Sequence, residues 1–456
     1  MEDDVVIVGF GPAGAAAALE ASNAGASVTI LEKASNPGGN GIISGGKVYA
    51  AGTSLQKQNK VEDSPEKMIQ YLMNVGGQYV DPTLIRILAK TSPEIIDWLE
   101  GLGVKWDKLE ASGVEGIPGY MPRTHVAEGG GRGLWDPLQR ATEKMGVKIY
   151  CKAEVKEIIP NQLGRAIGVR VKLGGENVEF YAKKGIILTS GGFAYNKSLL
   201  REVFSYNDKV TPLCRSVCTG DGITMASAVN GKILKVPGVV GYPAVAGLKG
   251  PGAFLTVTRR NLASIFINEM GKRFVNEEIH YDSSFREILK QKEAFVIFDE
   301  KARKAGGRKI SPGFSPLLES EIDRGLVKVA DNIHDLSNIL GVDHLNLERS
   351  IESWNRYAEI GKDSEFNRKT GLIPLEPPYY AVQLKGGIID TKGGIMINRK
   401  AQVINHSGSI IPGLFSAGRV TGGTTGDLYP GSGYFILDAL CFGKIAGREV
   451  LHGGVS

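Results

Sequence analysis

The chain has 456 residues, 42% hydrophobic and 23% charged, with a formal net charge of +5. That is the make-up of an ordinary globular protein, long enough for two domains or for one large domain with an insertion. No basic block is interleaved with aromatics, which argues against nucleic-acid binding, and no apolar run approaches the roughly 18 residues of a membrane span. Glycine departs from the ordinary: 61 residues, about 13% and close to twice average usage. The glycines gather in clusters (Gly9, Gly11, Gly14; Gly38, Gly39, Gly41; Gly129 to Gly131; Gly422, Gly423), as where backbone wraps closely round a ligand.

In chain order, the first element is the continuous apolar strand "VVIVGF". It begins by residue 5, so no signal peptide is expected, and the expected setting is the cytoplasm. The strand runs into Gly9-x-Gly11-x-x-Gly14, an alanine-rich helix, and a second strand "SVTIL" that ends at Glu32, 21 residues after Gly11. The first glycine permits the tight turn, the second lets a pyrophosphate approach the backbone, and the third lets helix pack on strand. The helix N-terminus offers N–H groups to the phosphates, and Glu32 is placed to accept from ribose hydroxyls.

A glycine-rich loop, "EKASNPGGNGIISGG", follows at once. Within it Lys33, Gly39, Asn40, Ser44, Gly45 and Gly46 are candidate cofactor contacts. Downstream, "KKGIILTSGGFAYN" (183–196) reads as a strand closing on Gly191, and "IPGLFSAGRVTGG" (411–423) as a strand delivering Gly418. A nucleotide site assembled from both ends of the chain, without a second G-x-G-x-x-G for NAD, favours FAD. Four cysteines (Cys151, Cys214, Cys218, Cys441) contain no C-x-x-C and form no disulfide framework. Cys214 and Cys218 in "CRSVC" have a spacing that would let them face one another on a helix, but the favoured reading is that they are buried or incidental. His125 and His280 belong to no ligand-spaced cluster, so no metal is expected.

Several stretches in this order resemble the flavoprotein family of fumarate reductases and 3-ketosteroid dehydrogenases: the N-terminal fingerprint, "CTGDGITMASAVNGK" (218–232, with Asp221), "FINEMGKRFVNEE" (266–278), "KGGIIDTKGGIMIN" (385–398) and "IPGLFSAGRVTGG…FGKIAG" (411–447). The resemblance implies an α/β fold: a Rossmann-like FAD-binding domain formed by both chain ends (1–235 and 376–456), with an inserted α+β capping domain at 236–375. The "FVIFDEKAR" stretch and the "NLERSIESWNRYAEIG" helix then belong to the cap. It also implies an external electron carrier as partner.

The dicarboxylate members of that family hold their substrate with two histidines and two arginines, as a carboxylate in a dry site demands. Motif against motif, those positions fall on Tyr242, Tyr281, Gln383 and Tyr429, all neutral. A dianion would be left without its counter-ions. The replacements resemble the ketosteroid branch. There a tyrosine after R-F-x-N-E, here Tyr281, takes the α-proton. A Tyr-x-Gly-x-Gly, here Tyr429 to Gly433, holds the ketone through its phenol and the last glycine's N–H. Tyr120 corresponds by region to a further tyrosine of that branch, and Ser432 adds a hydroxyl inside the cradle. Arg419 stands where the fumarate reductases carry a glutamate.

Dehydrogenation beside a ketone needs a hydride acceptor, a base and donors for the developing enolate oxygen. Flavin supplies the first, Tyr281 the second, Tyr429 and Gly433 the third. A free tyrosine has a pKa near 10, so bringing it to neutrality takes roughly 4 kcal/mol of environmental help. In the reverse direction, enone reduction, Tyr281 donates a proton and needs no such shift. The residues leave both directions open, with dehydrogenation favoured by the tyrosine cradle.

Overall fold

Val5, Val6, Ile7 and Val8 are all buried, and a strand without an exposed face belongs inside a sheet covered on both sides. In the computed structural model, which describes residues 1–205 and 209–453, this strand (Glu2–Val8) lies between two parallel partners, Val28–Glu32 and Glu176–Leu188. Lys148–Cys151 extends the sheet in parallel past the first partner and Ile410–Ser416 past the second, and Gln402–Ile404 closes the latter edge antiparallel. One neighbour of the central strand follows directly through the helix Pro12–Asn23; the other arrives from far along the chain on the opposite side. Its C-terminal end is therefore a topological switch point, where open α/β sheets bind ligands.

The chain divides into two compact units: Met1–Ser205 with Val217–Gly238 and Asp390–Ser456, and Tyr206–Ser216 with Val239–Ile389. In the first, the two chain ends are joined by the helix Pro12–Asn23 packing on the helix Tyr434–Glu449. A Cβ on Gly443 would stand 2.5 Å from the Ala13 carbonyl oxygen, and one on Gly447 would stand 2.4 Å from that of Ala17. The alanine run thus has a second cause besides packing on a strand: it is the flat face on which the last helix rests. Lys444 and Arg448 then pair with Glu20 at the edge of that contact. A small antiparallel sheet of Lys47–Tyr49, Thr124–Ala127 and Trp106–Glu110 completes the neighbourhood of the last helix.

The second unit is α+β. Its sheet is built on the long strand Tyr379–Thr391, flanked by Ala294–Asp299, Val327–Ala330, Val239–Val245 and Val210–Pro212, with Ser264–Asn268 outermost. Period-two alternation sends Phe266, Val296, Phe298 and Val382 into one core, and Ile265, Ile267, Ile297 and Ala381 into another beneath Trp354. The helices Tyr281–Lys290, Ile333–Leu340 and His344–Ile360 accompany the sheet.

The second unit runs to Ile389, where the sequence places the end of the insertion at 375, because Tyr379–Thr391 is the spine of its sheet. "CRSVC" forms no helix; the segment leaves the strand Val210–Pro212 irregularly, with the Leu213 amide bonded to Ile388 O at 2.8 Å. Among the described residues no helix is long and apolar enough to cross a membrane.

Candidate active site

The glycine fingerprint divides its labour sterically. Gly9 sits at φ +108°, and a Cβ there would meet Thr189 O at 2.7 Å; a Cβ on Gly14 would meet Gly9 O at 2.1 Å. These two close the turn and press helix on strand. Gly11 differs: the nearest atoms to its missing Cβ are 3.9 Å away, on Gly38 and Gly39. That is ordinary contact without a clash, at the start of a helix that no side chain caps, which suits an approaching phosphate. Glu32 is buried, its Oε2 accepting from the Phe10 amide at 2.8 Å and its Oε1 from the Ala34 amide at 2.7 Å. The carboxylate is thereby fixed in orientation, with lone pairs left over for a diol.

The loop after Glu32 is held from several sides. Gly39 comes within 3.4 Å of Gly11 Cα, measured from an ideal Cβ. Ser44 Oγ donates to Gly41 O at 2.7 Å and accepts from the Gly46 amide at 3.1 Å. Gly46 abuts Gly130, and Gly45 lies against the Lys47 side chain. Lys33 bonds Asp221 Oδ2 at 2.9 Å and Thr219 Oγ1 at 2.8 Å, and Asn40 donates to Cys218 Sγ at 3.3 Å. Lys33, Asn40 and Asp221 thus tie this loop to the segment around 218–221. Gly191 has no neighbour within 4 Å of its missing Cβ, while Gly418 brings its strand against Ala13 at 3.0 Å. An uncapped helix starting at Gly11, open space at Gly191 and a fixed carboxylate fit the diphosphate and ribose of FAD.

The Tyr429 to Gly433 segment is a rigid cradle. Gly433 (φ +94°) starts the last helix with no side-chain cap, and a Cβ there would lie 2.7 Å from Val48 N. Gly431 is equally confined, 2.6 Å from Ser112 O. Tyr429 is buried, with its ring 4.9 Å from that of Phe435. Ser432 is engaged by the scaffold: its amide donates to Ser112 Oγ at 2.9 Å, its Oγ accepts from Ser112 Oγ at 3.1 Å, and its carbonyl accepts from Thr124 Oγ1 at 2.8 Å.

Tyr71 is the residue that the sequence alone did not single out. Its hydroxyl donates to Pro430 O at 2.9 Å and accepts from the Val114 amide at 2.8 Å; burial pushes the phenol up to about 12. In the sequence it reads as one more apolar-face position of the helix Pro65–Gly76, beside Met68, Leu72 and Val75. Tyr120 packs its ring 6.1 Å from that of Tyr71, and burial, with Glu115 beside it, raises its pKa. Beneath them the Arg123 guanidinium lies over the Tyr49 and Tyr71 rings and forks onto Asp63 with two 2.7 Å bonds. His125 is buried between Thr53 Oγ1 and Arg123 O, and burial lowers its pKa to about 4.

Arg419 lies 3.8 Å over the Phe435 ring, donates to Thr391 O at 3.0 Å, and stands 3.6 Å from Asp390 and 3.5 Å from Asp438. Burial pushes Asp390 up to about 6 against the pull of Arg419, and raises Asp438 as well. Among the described residues no cluster of three His, Cys, Asp or Glu side chains is arranged to hold a metal.

In the second unit, Tyr242 and Tyr281 come together, their rings 4.9 Å apart. His280 lies 4.2 Å from the Tyr281 ring, and its burial lowers its pKa to about 4. Gln383 is not part of this pair. Its carbonyl takes the Ala246 amide at 2.9 Å, four residues and about 13 Å of strand beyond Tyr242, and its exposed side chain lines a groove with Lys292 and Lys385. The R-F-x-N-E motif is internal framework. Arg273 and Glu277 are wholly buried with Asp363 and Arg368, and both guanidiniums lie under 5 Å from Trp354. The motif locks the turn from which the Tyr281–Lys290 helix departs.

Residues 4–436 match the family model described as FAD binding domain. The chain belongs to this FAD-binding family. The chain is 33% identical, over 97% of its length and 74% of the relative's, to a probable fumarate reductase of Shewanella frigidimarina. It is 25% identical to a 3-oxosteroid 1-dehydrogenase of Mycobacterium tuberculosis, over 98% of both. The structure of a 3-ketosteroid Δ4-(5α)-dehydrogenase from Rhodococcus jostii RHA1 in complex with 4-androstene-3,17-dione superposes with a TM-score of 0.76 at 28% identity, covering 99% of this chain and 97% of that one. This member of the family is an FAD-dependent oxidoreductase acting on CH–CH bonds.

Proposed function

We propose that this flavoprotein dehydrogenates a cyclic, steroid-like ketone at the bond beside its carbonyl. The observation that carries the reading is the cradle itself. A buried phenol, Tyr429, and the N-terminus of an uncapped helix at Gly433 are neutral donors suited to an oxygen that gains negative charge only during reaction. A dicarboxylate needs charge-assisted partners in the ground state, and the matching positions carry Tyr242, Tyr281, Gln383 and Tyr429.

FAD, which the Gly9 to Gly14 turn and Glu32 would hold, would supply the hydride acceptor, with an external carrier as the onward electron partner. Tyr281 takes the α-proton from the carbon next to the carbonyl. Tyr429 and the Gly433 N–H hold the carbonyl oxygen as it becomes an enolate. Tyr71, through Pro430, keeps the cradle in shape; Ser432 holds it to Ser112 and Thr124. Tyr242 supports Tyr281 by ring contact, and Tyr120 supports Tyr71.

The test is anaerobic mixing of oxidised holoenzyme with saturated and unsaturated 3-ketosteroids. Bleaching of the flavin by the saturated ketone is expected. Re-oxidation of chemically reduced enzyme by the enone alone moves the assignment to an enone reductase. Silence toward both, beside a response to fumarate, overturns the ketone reading. Tyr281→Phe is expected to keep FAD and lose turnover; an unimpaired rate removes Tyr281 from proton transfer.

A further inference from the structure

The base assigned above has a difficulty of its own, since a phenol is almost entirely protonated at neutral pH. The second unit holds a cation at this point. The Arg259 guanidinium lies 5.1 Å from the Tyr281 ring centre and 5.7 Å from that of Tyr242. Arg259 is on the short turn Val257–Arg260, is exposed, and makes no carboxylate ion pair among the described residues. An arginine drawn over two aromatic faces with no acid to hold it is there for the rings or for what the rings do.

We propose that Arg259 is the positioning residue that allows the Tyr281 phenol to release and regain a proton near neutral pH. A positive charge beside a phenol stabilises the phenolate and leaves the neutral form unaffected. Among the described residues, His280, Tyr242 and Asp282 do not supply that charge. His280, against its ring, is held neutral by burial. Tyr242, on the strand Val239–Val245, is neutral and buried. Asp282, next along the helix, is a carboxylate that would oppose ionisation, but it is engaged by the Gly241 amide at 2.8 Å and by Arg286 at 3.1 Å. Arg260, exposed on the same turn, adds positive charge nearby. Arg259 is the cation that lies over the phenol's own ring. Burial raises the pKa of Tyr242, and Arg259 and Arg260 oppose that rise, the sense of influence proposed for Tyr281.

The inference rests on the ketone reading for its kinetic consequence, and its sign does not depend on direction. Whether Tyr281 acts as base in dehydrogenation or as acid in reduction, the limb of the pH profile that it governs moves up when the cation is removed. An opposite charge at this distance moves a pKa by about one to three units, and the exposed position of Arg259 puts it at the low end. For the holoenzyme with a 3-ketosteroid, Arg259→Met should move the Tyr281 limb of kcat/KM up by about one pH unit, which is about tenfold in dehydrogenation rate on the rising limb. Arg259→Lys should restore most of it. High salt should move the wild-type limb in the same direction and leave Arg259→Met unmoved.

A limb unchanged in Arg259→Met, while Tyr281→Phe is inactive, overturns the role of Arg259 and leaves the ketone reading intact. A change confined to KM, equal at every pH, makes Arg259 a substrate contact and also overturns it. If no ketone turns over, ultraviolet difference titration of phenolate, with Tyr281→Phe as the blank, still reads the Tyr281 pKa in both backgrounds. Equal values refute the proposal.

Discussion

Glu277→Gln tests whether the R-F-x-N-E motif is framework. The side chains of Arg273, Glu277, Asp363 and Arg368 are fully buried, two positive charges against two negative. Glu277 accepts from Arg273 Nε and Nη2 at 3.1 Å each, from Arg368 Nη1 at 3.2 Å and from the Phe266 amide at 3.1 Å. Glutamine keeps the shape but removes one charge: Arg273 keeps Asp363 and Glu365, while Arg368 loses the carboxylate it pairs with. Removing one partner of a buried pair costs about 3–5 kcal/mol. The low end applies here, because the amide oxygen still accepts and Arg368 keeps the carbonyls of Ser264, Thr370 and Gly371.

Against a typical total of about 5–15 kcal/mol, a loss of about 3 kcal/mol lowers the urea midpoint by about 1 M or more at an unchanged slope. The assay is urea unfolding of the holoprotein followed by circular dichroism, with flavin absorbance recorded beforehand. FAD should remain bound, since the network lies within the second unit. The double variant Glu277→Met with Arg368→Met leaves Arg273 and Asp363 as a neutral pair and should be less damaged than Glu277→Met alone. A Glu277→Gln loss under about 1 kcal/mol, the range of an exposed pair, or double-variant damage equal to the sum of the singles, would refute the reasoning.

Two glycines of one motif should fail differently. Gly14→Ala puts a methyl 2.1 Å from Gly9 O, so apoprotein stability should drop by about 1–3 kcal/mol. Gly11→Ala meets nothing closer than 3.9 Å, so the apoprotein should unfold as wild type does while FAD retention, read from the absorbance ratio of purified protein, falls; equal loss of stability in both counts against the division of roles. Asp390 supplies a pH test. Its folded pKa, pushed up to about 6 by burial, lies above the unfolded value near 3.8, so the folded state binds the extra proton. The stability it contributes is full below the unfolded value and is lost as pH rises through the folded one, by about 3 kcal/mol in all. Asp390→Asn should therefore gain on wild type between pH 4 and about 7 in thermal unfolding; parallel curves would show that Asp390 titrates normally.

The dinucleotide frame was legible because its constraints are local. A strand, a turn that only glycine tolerates at Gly9, and an acid at the end of the next strand follow one another within 32 residues, and each is a steric or hydrogen-bonding requirement of neighbouring backbone. The same locality made the cradle at Tyr429 to Gly433 readable as a helix start with a phenol before it. The alanine run was read only in part, since its second partner, the Gly443 and Gly447 face, lies more than 400 residues away.

What surrounds the cradle was decided by tertiary structure. Tyr71 looks like a core residue until the fold carries Pro430 and Val114 to its hydroxyl. Gln383 matches a family position in sequence but stands on the long strand opposite Ala246, away from Tyr242, because strand register fixes its level. Arg259 is one surface cation among 54 basic residues until a turn lays it over Tyr281. By itself the sequence determined the cofactor, the reaction class and the neutral residues at the four positions that match the dicarboxylate ligands of the family, since each depends on residue type within a short motif. Which phenol meets which charge depends on contacts between segments distant in the chain, and only folding sets those distances.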